Sequence, residues 1–334
     1  MTTDTPAITM ADVEAAAERL RGVAVTTPLL ENAQLNARVG GRVLLKAETL
    51  QRSGSFKFRG AYNRLSQLDS EQRKAGVVAW SSGNHAQGVA AAAQMLGMPA
   101  TIVMPSDAPV LKIENTRGYG AEIRLYDRWT ESREDIALGI ARERSAVTVP
   151  PFDDPHIMAG QGTVGLELAR QAEALEARPD AVLAPCSGGG LMAGLATAVK
   201  HHAPRAELYS VEPAGFDDTA RSLAAGARQR NEAGAVSFCD ALLTPSPGEL
   251  TFTVNRRLLA GGLSVTDAEV SAAMAYAFSV LKLVIEPGGA VALAAVLAGK
   301  LPTQGRTLAV VLSGGNVDPA TFIKAIGVEA IGRA

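Results

Sequence analysis

The chain has 334 residues, 47% hydrophobic and 20% charged, with a formal net charge of −2. That length holds one large domain or two medium ones, and the near-neutral balance excludes a basic nucleic-acid surface or an acidic tail. Only Cys186 and Cys239 occur, which excludes a disulfide framework and suits a reducing cytoplasm.

The first 20 residues are polar and then amphipathic, so neither a secretory leader nor a membrane segment is expected. Val77–Trp80 reads as a strand, Ser81-Ser82-Gly83-Asn84 as a turn, and His85–Leu96 as a helix stopped by Gly97. Next come a strand at Ala100–Met104, a helix at Val110–Arg117, a strand at Glu122–Tyr126, a helix at Thr130–Arg144 and a strand at Val147–Val149. Pro150 to Pro155 then punctuates the series without forming a flexible linker. A second series follows, with a strand at Ala181–Ala184, a helix at Gly190–His201 and a strand at Glu207–Val211. A capping box at Thr266 opens a helix toward Leu283, and a late strand at Thr307–Leu312 leads into Ser313-Gly314-Gly315-Asn316. Alternating strands and helices imply an α/β fold: two lobes, each an open, mostly parallel twisted sheet with helices on both faces. Ligands bind such sheets at the carboxyl ends of strands. The turns at 81–84, 187–190 and 313–316 all fall there, and could share one site.

Ser187-Gly188-Gly189-Gly190-Leu191 joins a strand to a helix, and its backbone N–H groups suit a phosphate. The same stretch also fits the spaced G-x-G-x-x-A of a dinucleotide site, as Gly188, Gly190 and Ala193, with Glu212 near the ribose-binding position. A tight turn chosen for packing is the third reading. Lys57 lies between Phe56 and Phe58, next to small residues. An amine that attacks a carbonyl works best partly desolvated, although most lysines are surface residues whose stems cover apolar neighbours. Ser81-Ser82-Gly83-Asn84-His85 opens a helix whose free N–H groups suit a carboxylate, or form a plain Ser/Asn cap.

Taken together, these segments resemble the fold-type II pyridoxal-phosphate (PLP) enzymes, in the serine/threonine dehydratase, serine racemase and threo-3-hydroxyaspartate dehydratase branch. The matching pieces are Lys46-Ala47-Glu48, SGSFKFRGA at 53–61, SSGNHAQG at 81–88 and AGQGTVGLEL at 159–168. They continue with SGGGL at 187–191, VEP at 211–213, IEPGGAVALAA at 285–295 and LSGGN at 312–316. The resemblance implies a tryptophan-synthase-β-like fold, with a large PLP domain at 1–69 and 153–334 and a small mobile domain at 70–152. It implies that Lys57 carries PLP as a Schiff base beside Phe56, that Asn84 meets the ring hydroxyl, and that Ser313 sits at the ring nitrogen. Ser187, Gly188, Gly189, Gly190 and Leu191 would hold the phosphate, with Ser187 standing where the branch usually has another glycine. Ser81, Ser82, Gly83, Asn84 and His85 would receive the substrate, with Ser82 as a second base across the ring from Lys57.

Arg133 falls where hydroxyaspartate enzymes and serine racemases can place an arginine for a second carboxylate. Pairing with Glu131 or Glu134 on a helix surface is the other reading. By the same resemblance Glu212 and Asp218 supply carboxylates, and Phe216 a carbonyl, to Mg²⁺ or Ca²⁺, against a solvated acidic turn. The implied activity is dehydration of L-threonine or L-serine to a 2-keto acid and ammonia, by a cytoplasmic homodimer. Threo-3-hydroxyaspartate dehydratase or serine racemase is the alternative, and a nicotinamide-dependent oxidoreductase the distant one. The chain leaves no room for the C-terminal regulatory domain of biosynthetic threonine dehydratases, so no isoleucine feedback is expected.

Overall fold

A computed structural model describes residues 6–331 apart from Ser82 and Pro109. Two sheets carry the fold. The larger has the order β1-β2-β10-β7-β8-β9, comprising Leu29–Glu31, Arg42–Ala47, Thr307–Leu312, Ala181–Pro185, Glu207–Pro213 and Gly261–Val265. Only β1 runs antiparallel to its neighbour. The smaller sheet is parallel throughout, in the order β5-β4-β3-β6, from Glu122–Tyr126, Ala100–Pro105, Val77–Trp80 and Val147–Thr148. Parallel strands covered on both faces read as unbroken apolar runs. β4, β7 and nearly all of β10 are buried along their length for this reason.

Two expected elements differ in extent. The helix expected from Thr130 begins at Arg133, because the Ser132 side chain accepts the Asp135 N–H and caps it there. The helix expected to run toward Leu283 keeps its capping box at Thr266, but is α-helical only over Asp267–Tyr276 and continues as a wider turn to Leu281. Lys282 then closes it in the left-handed region, at φ 61°.

The helix that carries Lys57, Lys57–Leu65, is fixed to the long helix Pro155–Ala174 by backbone contact. A Cβ on Gly160 would lie 2.6 Å from the Gly60 Cα, so neither position has room for a side chain. Next to Gly60, Arg59 is fully buried and forms a fork to Glu48 at 2.8 Å and to Glu167 at 2.6 Å. Lys46, also fully buried, joins Glu167 at 2.7 Å. The two cations and two carboxylates neutralise each other beneath the lysine helix.

Candidate active site

The three turns singled out in the sequence line one cavity of about 490 Å³ between the sheets, a size suited to a small ligand. Ser81 follows β3, Ser187 follows β7 and Ser313 follows β10, each at the carboxyl end of its strand. Lys57, Phe56, Gly83, Asn84, His85 and Arg133 line the same cavity. Ser82 lies outside the described residues.

Lys57 is half-buried by surface because it faces the cavity, but protein encloses its amine on the other sides. No carboxylate is in ion-pair range of it among the described residues. Its Nζ donates to the Pro151 carbonyl at 2.6 Å and stands 5.3 Å from the centre of the Phe56 ring. Burial draws the amine down to about 8, and the charge of Glu286 opposes that shift. A buried lysine without a counter-ion is costly as a structural device and suited to nucleophilic work.

Two helices point bare N-termini into the cavity. Neither Asn84–Met95 nor Gly190–His202 has a side-chain cap. At the second, the Gly188 carbonyl accepts Thr251 Oγ1 at 2.6 Å, and the Gly189 carbonyl accepts Asn255 Nδ2 at 3.2 Å. With these carbonyls pinned outward, trans peptide planes turn the following N–H groups the other way. Gly189 adopts φ +94°, and a Cβ there would meet Asn255 Nδ2 at 2.7 Å. A Cβ on Gly188 would meet the Phe152 ring at 2.4 Å. The turn is therefore an anion cup fixed from outside by Phe152, Thr251 and Asn255. One uncapped helix suits a phosphate, the other a carboxylate, and a lone buried amine stands in the same cavity. The residues present fit PLP.

His85 is buried, with Nε2 at 2.9 Å from the Val149 carbonyl, and burial pulls its pKa down to about 3. The ring is a neutral anchor for its helix, so His85 itself has only its backbone free to meet a ligand. Arg133 is exposed at the cavity wall, and no carboxylate pairs with it among the described residues. The Glu131 carboxylate instead accepts the Asp127 N–H at 2.7 Å.

Glu286 was not singled out as a functional residue from the sequence. It is 2% exposed, lines the cavity and accepts the Asn84 side-chain amide. Burial raises its pKa to about 7. Its place in IEPGGA marks it only as the residue before a helix, so its neighbour Asn84 was not foreseeable. Lys112 and Asp240 were also missed, and form an ion pair at the cavity wall.

The acidic group lies outside the cavity. The Glu212 carboxylate is fully buried and accepts the backbone N–H groups of Thr219 and Ala220, each at 3.0 Å. It caps the helix Asp218–Ala225 and is unavailable to a ribose. Asp218 is 1% exposed, its Oδ1 accepts Asn231 Nδ2 at 2.6 Å, and its Oδ2 has no partner. Burial raises both carboxyls, Asp218 to about 6. A buried carboxylate oxygen without a donor fits a hard cation beside the buried Phe216 turn. Among the described residues no three His, Cys, Asp or Glu side chains cluster as a ligand set.

A family model described as "Pyridoxal-phosphate dependent enzyme" matches residues 21–314. The chain belongs to that family. An L-threo-3-hydroxyaspartate ammonia-lyase from Pseudomonas sp is 44% identical over 307 residues, covering 92% of this chain and 95% of the relative. An L-threonine ammonia-lyase from Thermotoga maritima is 41% identical and covers 93% of this chain and 76% of its own. The crystal structure of a T.th. threonine deaminase superposes with a TM-score of 0.87 at 46% identity, covering 93% of this chain and 99% of that one. Membership in the PLP family, with Glu212 turned inward as a helix cap, sets the nicotinamide reading aside. No helix is long and apolar enough to cross a membrane among the described residues.

Proposed function

We propose that this PLP enzyme is an ammonia-lyase that converts a β-hydroxy amino acid to a 2-keto acid and ammonia, with L-threonine and L-serine as substrates. The observation that carries the reading is the unpaired Lys57 amine between two uncapped helix N-termini. PLP, when bound, supplies an electron sink for the bond broken at the substrate Cα.

Lys57 would anchor the cofactor and, as a free amine, take the Cα proton; a pKa of about 8 leaves that amine partly neutral near neutral pH. Gly188, Gly189, Gly190 and Leu191 would bind the phosphate through backbone N–H groups, with Ser187 beside them. The Asn84 helix N-terminus, with Ser81 and Gly83, orients the substrate carboxylate. Asn84 has its side-chain carbonyl held by Asn316 at 2.7 Å and its amide turned toward Glu286, and would meet the cofactor's ring hydroxyl from there. Ser313 would offer a hydroxyl to the cofactor's ring nitrogen, a partner that favours its protonation less than a carboxylate would. Phe56 and Phe152 exclude water from the cup. Glu212, the Phe216 carbonyl and Asp218 would hold Mg²⁺ or Ca²⁺, which neutralises two buried carboxylates away from the reacting atoms.

A second reading is favoured by Arg133, a guanidinium without a carboxylate partner at the cavity wall. It suits the extra carboxylate of threo-3-hydroxyaspartate. Ser82 keeps its expected role as a second base, which chiral analysis of serine after incubation tests. The lobes 1–69 with 153–334 and 70–152, and a cytoplasmic homodimer, complete the reading; light scattering tests the dimer.

A keto-acid assay across L-serine, L-threonine and the 3-hydroxyaspartate stereoisomers tests the function. The expected protein shows a visible Schiff-base band that borohydride removes, leaving the label on Lys57. A protein that cannot be loaded with PLP, or that releases no keto acid from any of these, overturns it.

A further inference from the structure

We propose that Ser187 couples the acidic pocket at Glu212 and Asp218 to the phosphate cup, so that a divalent cation in the pocket tightens PLP binding. The proposal rests on the PLP reading of the cup and adds how that cup is regulated.

Within residues 187–190 only Ser187 has a side chain able to hydrogen-bond. Its hydroxyl lies 2.6 Å from Thr244 Oγ1. The Thr244 carbonyl accepts Asn231 Nδ2 at 2.9 Å, and the same amide nitrogen donates to Asp218 Oδ1 at 2.6 Å. The orientation of that amide is fixed from its other end, because Asn231 Oδ1 accepts Arg221 Nη2 at 2.6 Å. The Asn231 backbone N–H donates to the Pro245 carbonyl at 2.8 Å, so the segment near 231 and the one at 244–245 move together. A continuous hydrogen-bonded line therefore runs from Asp218 to the first residue of the cup.

A second line ends one residue earlier. Thr219, whose N–H is held by Glu212, places its Oγ1 3.4 Å from Cys186 Sγ. Both carboxylates of the pocket thus reach residues 186–187 through separate partners.

The partnerless Asp218 Oδ2 is the oxygen a cation takes. Coordination there fixes the carboxylate, and with it Oδ1, Asn231 and Thr244. Ser187 then meets the phosphate already ordered, and PLP binding loses less conformational entropy. Linkage makes the effect reciprocal, so PLP also tightens the cation. A glycine at 187 has no side chain to join to Thr244, and the line is cut.

The test is PLP titration of the apoprotein by absorbance, in EDTA and in saturating Mg²⁺, for the native chain, Ser187→Gly and Thr244→Val. The native chain is expected to bind PLP about tenfold more tightly with Mg²⁺, and both variants to respond by less than about twofold, within the usual span of couplings between sites. Thr244→Val leaves the cup sequence intact and decides the matter where Ser187→Gly binds too weakly to titrate. Melting curves confirm that each variant folds. No PLP binding by the native chain in either buffer defeats the PLP reading itself. PLP binding that ignores Mg²⁺ in the native chain, or a native-sized response in Thr244→Val, overturns the coupling and leaves the PLP reading standing.

Discussion

Asn84 donates its side-chain amide to Glu286, a carboxylate 202 positions further along the chain. The bond joins the turn after β3 of the smaller sheet to the segment that opens the helix Pro287–Leu297 against the larger one. Glu286 also acts on Lys57. Burial lowers the lysine amine and raises the acid, while the charge of each partner favours the ionised form of the other.

That through-space influence sets a pH dependence. PLP uptake by the apoprotein requires a neutral amine, so its rate rises with pH, with a midpoint near 8 rather than at the 10.5 of an ordinary lysine. The Glu286 carboxylate raises the Lys57 pKa, and Glu286→Gln therefore moves the midpoint to lower pH. Stopped-flow absorbance across pH 6–10 measures this. A midpoint that stays put or climbs removes Glu286 from the electrostatics of the amine.

Gly189→Ala tests the cup. The new Cβ faces both a left-handed backbone at φ +94° and Asn255 Nδ2 at 2.7 Å. The strain is about 1–3 kcal/mol. Relief requires Asn255 to withdraw from the Gly189 carbonyl, which lets the turn rotate. PLP affinity is expected to fall by about tenfold or more, with a lower melting temperature. Native affinity in this variant would mean that the outward pinning of the carbonyls does not shape the site.

Arg133→Ala separates the two substrate readings. A charge-assisted hydrogen bond contributes about 1.5–3 kcal/mol, so hydroxyaspartate turnover is expected to drop about 10- to 150-fold in kcat/KM, with serine and threonine little changed. Equal losses on all three substrates would make Arg133 a residue that supports the helix Arg133–Arg144 and nothing more.

Arg59→Met probes the charge network under the lysine helix. The change leaves Glu48 buried without its guanidinium and Glu167 with Lys46 alone. Breaking such a buried pair costs about 3–5 kcal/mol. Chemical denaturation should show that loss. A cost below about 1 kcal/mol would mean that water or Thr27, which donates to Glu48 at 2.5 Å, compensates the acid.

Local chemistry made much of this site legible before the fold was known. A lysine between phenylalanines and turns at strand ends are short-range patterns, as is a triple glycine before an apolar helix, and the structure gathers them around one cavity. Glu286 was not legible as a functional group because its meaning depends on Asn84, which no periodicity connects to it. Thr244 and Asn231 escaped notice for the same reason: they lie in an irregular stretch and matter only through partners elsewhere. β9 begins Gly261-Gly262, which carries no strand signal, and forms because β8 offers a free edge beside it. The dinucleotide fingerprint at 188–193 was a false match. It recorded the spacing of glycines, whereas the structure requires each one against Phe152, Thr251 or Asn255.

The helix that carries Lys57 packs both against Pro155–Ala174 and against the helix Asn84–Met95 that follows β3. Gly60 and Gly160 lock it to the first, and a Cβ on Gly88 would lie 3.1 Å from the Lys57 carbonyl carbon, so the second approaches it closely too. The spacing between the amine and the turn proposed to hold the substrate is then set by direct helix-to-helix backbone packing. A side chain introduced at position 88 can therefore detune turnover while every cavity residue stays native, and tuning such an enzyme for a new substrate is as much a matter of posture as of pocket.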